Sequence, residues 1–207
     1  MTDAATTDPR PVEMPERPML TMPEAEADWL RDTYEAASVI LEYGSGGSTV
    51  LASEMPGKTI RSVENDWAWA RMMRAWFESN PGRSRPEIVH VGIGPTKAWG
   101  RPRNYVRHAE FARYPLAVWD GPEAIQPDVV LIDGRFRVGC LLACVFRAKR
   151  PLTVLFDDYV EREHYHVCED YAERVETRGR MARFEVTPRQ IRNDELLEVI
   201  GLIQQPE

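Results

Sequence analysis

The sequence predicts an α/β fold: a doubly wound, mainly parallel seven-stranded sheet of Rossmann-like type with a C-terminal antiparallel hairpin. Three observations predict it. Short apolar runs rich in β-branched residues alternate with helical patterns, which marks a parallel sheet covered on both faces. A glycine-rich turn, GSGGS, directly follows the first of those runs. The last two β-rich runs, RFEVTP and ELLEVIGLIQ, are joined by polar RQIRND, and strands joined without a helix are expected to pair antiparallel.

Each element has its own signal. Residues 1–18 are rich in Pro, Thr, Asp and Glu and are expected to form a loose arm, with 19–207 as a single domain. In TMPEAEADWLRDTYEAA, Thr21 stands as an N-cap with Glu24 three residues on, and Trp29, Leu30 and Tyr34 fall at helical spacing. SVILEYG is the first strand, and TVLASEM is a short helix after the turn. KTIRSVE is the second strand, ending at Glu64. DWAWARMMRAWFESN is a helix that stops before Pro81, with Trp67, Trp69, Trp76 and Phe77 expected mostly in the core. PEIVHVGIG is the third strand. An irregular basic and aromatic insert covers 95–126, with a helix expected around Tyr105–Arg113. PDVVLIDG and LTVLFDDY are the fourth and fifth strands. Between them, RFRVGCLLACVFRAK reads as a helix that buries Cys140 and Cys144. EHYHVCEDYAERV reads as one further helix.

Composition narrows the function classes. A chain of 207 residues with 43% hydrophobic residues can build one good core. The net charge of −7 argues against a nucleic-acid partner, since phosphate backbones need a basic surface. No run approaches the roughly 20 apolar residues of a membrane span. Three cysteines make no disulfide framework, and a reducing cytoplasm is the expected setting.

In open α/β sheets the ligand lies beyond the carboxyl ends of the strands. The residues expected there are Glu42, Gly44, Ser45, Gly46 and Ser48 at the turn, Glu64 and Asn65, Ile93 and Gly94, Asp133, and Asp157 and Asp158. Gly44 and Gly46 permit close backbone approach. The third glycine of a dinucleotide fingerprint is replaced by Thr49, and no lysine follows as in a phosphate loop. Glu42, two residues before the first glycine, suits a cationic ligand better than a pyrophosphate. Three carboxylates at neighbouring strand ends repel and need neutralising; oxygen ligands of this kind suit Mg²⁺, Ca²⁺ or Mn²⁺. An alternative is that Asp157 or Asp158 caps a loop or pairs with Arg135 or Arg137. Either arginine could instead clamp a carboxylate or phosphate on a substrate. His164, after the fifth strand, is a candidate general base.

The E-x-G-x-G turn after the first strand, the acid ending the second and the terminal hairpin resemble class I S-adenosylmethionine-dependent methyltransferases over residues 35 to 204. The resemblance implies S-adenosylmethionine as cofactor, with Glu64 on the ribose hydroxyls. Asp133 and Asp157 also match the metal ligands of the catechol and caffeoyl-coenzyme A type O-methyltransferases, with Asp158 in the place of their Asn. That second resemblance implies Mg²⁺ or another divalent cation. The lysine base of that family is Phe136 here, so its base does not carry over. The expected function is methyl transfer, favouring oxygen, to a small acceptor, anionic or aromatic, bound near Trp99, Arg101, Arg103 and Tyr105. An NAD(P)-binding oxidoreductase and a non-catalytic cofactor-binding or interaction protein are the alternatives.

Overall fold

A computed structural model describes residues 16–207. Seven strands form the sheet: β1 (Val39–Tyr43), β2 (Thr59–Glu64), β3 (Glu87–His90), β4 (Val129–Ile132), β5 (Leu152–Phe156), β6 (Glu173–Arg178) and β7 (Met181–Val186). Their order is β3-β2-β1-β4-β5-β7-β6. The first five are parallel, and β7 runs antiparallel to both β5 and β6. The order reverses between β1 and β4, so the crevice that binds ligands in such sheets opens above those two strands.

The two faces are covered by different elements. On one, α1 (Glu24–Ala36) and α2 (Gly47–Glu54) bury Trp29, Leu30, Tyr34 and Ala52 against Ile40, Leu131 and Leu155. Helix α3 (Trp67–Ser79) adds Ala70, Met73, Trp76 and Phe77 against Ile88. On the other face, the insert with its short α4 (Arg113–Leu116) packs with the apolar α5 (Arg137–Arg147) over Tyr43, Val63 and Val154. Cys140 and Cys144 are core there, as expected. Trp67 and Trp69 depart from expectation: they are 57% and 41% exposed, on the outer side of α3.

Several boundaries differ from the sequence reading. Thr21 does not cap α1. Pro23 holds the N-cap position, and its carbonyl accepts from Ala27 N–H at 2.9 Å. The residue before a proline is driven to extended backbone, which moves the helix start past Thr21. In the insert, the expected Tyr105–Arg113 range holds only a 3₁₀ turn (His108–Glu110), and the α-helical turn follows at Arg113–Leu116. EHYHVCED forms a 3₁₀ helix only (Glu163–Asp170). ERVETR then becomes the edge strand β6, turned into β7 at Gly179. ELLEVIGLIQ is not a strand. Its core forms α6 (Leu196–Ile203), which lays Val199, Leu202 and Ile203 on the α5 face of the sheet. The hairpin is therefore real but one element earlier than expected.

The expected loose arm falls largely on residues 1–15, outside the described residues. From there on the chain is tied down. Arg17 pairs with Glu54 at 2.7 Å, and Pro18 is buried. The Met19–Leu20 backbone then crosses the start of α2, where a Cβ on Gly47 would overlap the Leu20 amide. Gly47→Ala is expected to cost about 1–3 kcal/mol by overpacking, read as a lower urea midpoint with an unchanged m-value.

Candidate functional site

The turn after β1 is built around one buried carboxylate. Glu42 is completely buried. Its Oε1 accepts from the Tyr34 hydroxyl of α1 at 2.8 Å, and its Oε2 accepts from Thr49 Oγ1 of α2 at 2.6 Å. Thr49 Oγ1 accepts in turn from Gly46 N–H at 3.0 Å, and Ser45 Oγ meets Ser62 Oγ at 2.8 Å. Burial pushes the Glu42 carboxyl up, and the hydroxyls of Thr49 and Tyr34 oppose that shift. Glu42 therefore faces inward and braces the turn, while Thr49 uses the third-glycine position as a hydroxyl bridge. Gly44, at φ +102°, sits on the loop after β4, where a Cβ would lie 2.9 Å from Gly134 N. Beyond Gly46 the Cβ direction is open. Ser48 is buried in the first turn of α2.

The end of β2 supplies a second carboxylate. Glu64 Oε1 accepts from the N–H groups of Asn65 and Asp66, both at 2.8 Å, and Oε2 from Ser45 N–H at 3.3 Å. Burial raises its carboxyl, and those three N–H groups offset part of the rise. Glu64 and the glycine turn are thus one connected unit. Trp69 extends it by donating Nε1–H to Ser45 O at 2.7 Å. Asn65 donates to Gly100 O at 2.6 Å, which fastens the insert over this end. A cavity of about 340 Å³ opens beside it, lined by Asn65, Trp67, His90, Gly94, Thr96 and Arg107. Ile93 is buried near this edge, and Gly94, at φ +102°, lies against the Arg107 side chain.

Asp133, Asp157 and Asp158 do converge, with ligand atoms within 4.8 Å of one another. Three arginines occupy the same space. Arg180 grips buried Asp157 with two bonds, at 2.9 and 2.7 Å, and also reaches Asp158 Oδ1 at 3.2 Å. Arg137, itself buried, reaches Asp133 at 3.2 Å and Asp158 at 3.3 Å, and donates to the Asp157 carbonyl. Arg162 completes the set on Asp158 at 2.7 Å. Asp158 holds a left-handed backbone, φ +55°, between these partners. Burial, opposed by Arg137 and reinforced by Asp157 and Asp158, pushes the Asp133 carboxyl up to about 7.

The remaining candidates divide. Phe136 is fully buried against Phe111 and Tyr114. His164 is exposed and rests on Tyr165, with ring centroids 4.2 Å apart. Trp99, Arg101, Arg103 and Tyr105 are exposed on the insert. Arg180 and Arg162 escaped the sequence reading. Arg137 was foreseen there as a partner of Asp157 or Asp158, and the structure pairs it with Asp158 and Asp133.

A methyltransferase-like protein from Silicibacter pomeroyi is 50% identical to this chain, with a TM-score of 0.89 over 92% of this chain and 99% of its own. The chain belongs to that methyltransferase-like family. Two other solved structures share the fold: the O-methyltransferase TomG from Streptomyces achromogenes in complex with S-adenosylmethionine, and an O-methyltransferase from Bacillus cereus in complex with S-adenosylhomocysteine. The first is 13% identical with a TM-score of 0.52, over 79% of this chain and 80% of that one. The second is 14% identical with a TM-score of 0.50, over 84% of each chain. No family model and no curated protein matches the chain.

Two implied groups can be tested against these family features. The methyl donor fits: the turn is open beyond Gly46, and Glu64 is held rigidly at the β2 end with lone pairs to spare. A divalent cation does not fit. Three carboxylates already face three guanidinium groups, and both Asp157 oxygens are taken by Arg180. A cation would have to displace them and then sit among like charges.

Three outcomes are expected from this charge arrangement. Arg180→Met strands the Asp157 carboxylate and should cost roughly 2–3 kcal/mol, below the range for a fully buried pair because Arg180 keeps 34% of its side chain exposed. Millimolar Mg²⁺ should leave the wild-type thermal midpoint unchanged. The third outcome concerns pH. An unfolded Asp ionises near pH 3.9, whereas folded Asp133 ionises at about 7. Between those values the folded chain holds a proton that the unfolded chain has released. Stability therefore falls as pH rises through that window, and Asp133→Asn should flatten the slope in urea titrations at stepped pH.

Proposed function

We propose that the chain is an S-adenosylmethionine-dependent methyltransferase acting on a small molecule, with oxygen as the attacked atom. The observation that carries this reading is the single hydrogen-bonded unit made of the glycine turn and Glu64. Such a unit presents backbone and a rigid carboxylate to one ligand. Glu64 takes the ribose hydroxyls, because a carboxylate accepts two neighbouring O–H donors well. Gly44, Ser45, Gly46 and Ser48 border the amino-acid portion. Asn65, Ile93 and Gly94 border the purine beside the 340 Å³ cavity. Asp133, partly open to solvent, takes the ammonium group once ionised. When bound, the cofactor supplies an electrophilic methyl on its sulfonium.

The chain's own contribution is mainly positioning, which can supply a large share of a bimolecular rate. Asp157 and Asp158 hold Arg137 and Arg180 rather than a metal, and so keep the floor of the acceptor side rigid. His164, exposed and without a hydrogen bond among the described residues, accepts the acceptor's proton. The insert, with Trp99, Arg101, Arg103 and Tyr105, suits an aromatic or anionic acceptor. No described helix is long and apolar enough to cross a membrane. Three buried free thiols suit a reducing cytoplasm.

Calorimetric titration with S-adenosylhomocysteine tests the reading. Micromolar affinity is expected for the wild type. Glu64→Ala should weaken it ten-fold or more, the weight of hydrogen bonds to a charged group at about 1.5–3 kcal/mol. No heat from the wild type, or an unaltered affinity in Glu64→Ala, would remove the basis for the assignment.

A further inference from the structure

The loop from β4 to α5 carries two arginines with opposite fates. Arg137 is buried and fully engaged by Asp133, Asp158 and backbone carbonyls. Arg135 is buried almost as deeply, at 7% exposure. Its Nη1 is enclosed and finds no hydrogen-bond partner among the described residues. The largest charge effect on it comes from Arg137, of its own sign like Arg101, with Tyr165 and Tyr114 close enough to act on it as well. Burial, with the two like charges adding, pushes its guanidinium down from the usual value. A buried cation without a counter-charge is strongly unfavourable in a folded chain, and buried polar groups are otherwise almost always satisfied. The enclosed Nη1 therefore has a donor left for a further group.

We infer that Arg135 anchors an anion subsite that takes a carboxylate on the methyl acceptor, with Arg101 of the insert as a second cation. A guanidinium binds a carboxylate through two parallel N–H donors, a geometry an ammonium cannot reproduce. One enclosed guanidinium matches a singly charged planar anion; a phosphate dianion would call for more donors. Arg135 follows Asp133 by two residues along the same loop, so the acceptor's charged end is fixed on the same strand end as the donor's candidate acid. Calling the ligand an acceptor rests on the methyl-transfer reading. The anion subsite itself rests on Arg135.

The test uses the full chain and three probes: benzoate, its uncharged amide benzamide, and phenyl phosphate. Each is titrated calorimetrically and followed by thermal midpoint, and S-adenosylhomocysteine is titrated separately into the wild type. The wild type should bind benzoate at least ten-fold more tightly than benzamide, with a matching rise in midpoint. Arg135→Gln should abolish that preference, and Arg101→Ala should narrow it about three-fold. Arg135→Lys keeps the charge but loses the fork, and should also lose the ten-fold preference; it answers the question even if the Gln variant does not fold. Equal binding of benzoate and benzamide, or a preference that survives at position 135, overturns the subsite. Tighter binding of phenyl phosphate than of benzoate overturns the carboxylate assignment. Benzoate preference without S-adenosylhomocysteine binding would keep the subsite and sink the methyl-transfer reading; the reverse pattern would sink the subsite alone.

Discussion

Glu42 is a carboxylate in the middle of the sheet with no cation beside it among the described residues, and the crevice depends on how it is satisfied. It sits on the central strand and is completely buried. Among the described residues its partners are hydroxyls, led by Thr49 of the helix after β1 and Tyr34 of the helix before it, with Ser48 and Ser62 beside them. A half-satisfied buried carboxylate would cost more than it contributes. The chain thus has a strong reason to keep α1, β1 and α2 in one arrangement. The same Thr49 hydroxyl accepts from Gly46. The internal network and the exposed turn are therefore mechanically continuous, and the turn's shape is set from beneath rather than by its own sequence.

At the next two strand ends the problem is the opposite one, an excess of charge at the mouth. Parallel strands bring Asp133, Asp157 and Asp158 together because Asp133 and Asp157 directly follow the last residues of their strands and Asp158 comes next. Guanidinium groups from α5, the 3₁₀ segment's approach and the β6–β7 turn answer that charge. The family resemblance to metal-dependent enzymes extends to the acids and stops at their partners. Arginine occupies the space where a cation would be needed, and the acids become anchors for positively charged side chains.

Much of this was legible in the sequence, for local reasons. The five parallel strands are apolar runs bounded by Gly, Pro or acids, and strand ends in such sheets carry the site. That logic points to Glu64, Asp133, Asp157 and Asp158, and the structure has each at or just past a strand end. The C-terminal quarter was not legible in the same way. Strand β6 is an edge strand with almost every side chain exposed, so no alternation marks it, and its charges suit an edge. Helix α6 is apolar on nearly every side and rich in Val and Ile, and its packing on the α5 face, not its pattern, decides that it is a helix. Gly47 has a similar explanation: its reason is the Leu20 backbone, a contact no window around the turn contains. The Arg180–Asp157 and Arg162–Asp158 pairs likewise belong to the folded chain alone.

The position of Arg180 has a consequence for how the molecule is made. It lies in the turn of the hairpin that closes the sheet, after every other element of the crevice has been synthesised. Chains emerge from the ribosome N-terminus first, and early portions begin to organise as they appear. A nascent chain that has completed β1 to β5 therefore carries its acids with only part of their counter-charge. The crevice becomes electrically balanced when the last antiparallel strands dock, so completion of the sheet and completion of the site are the same event.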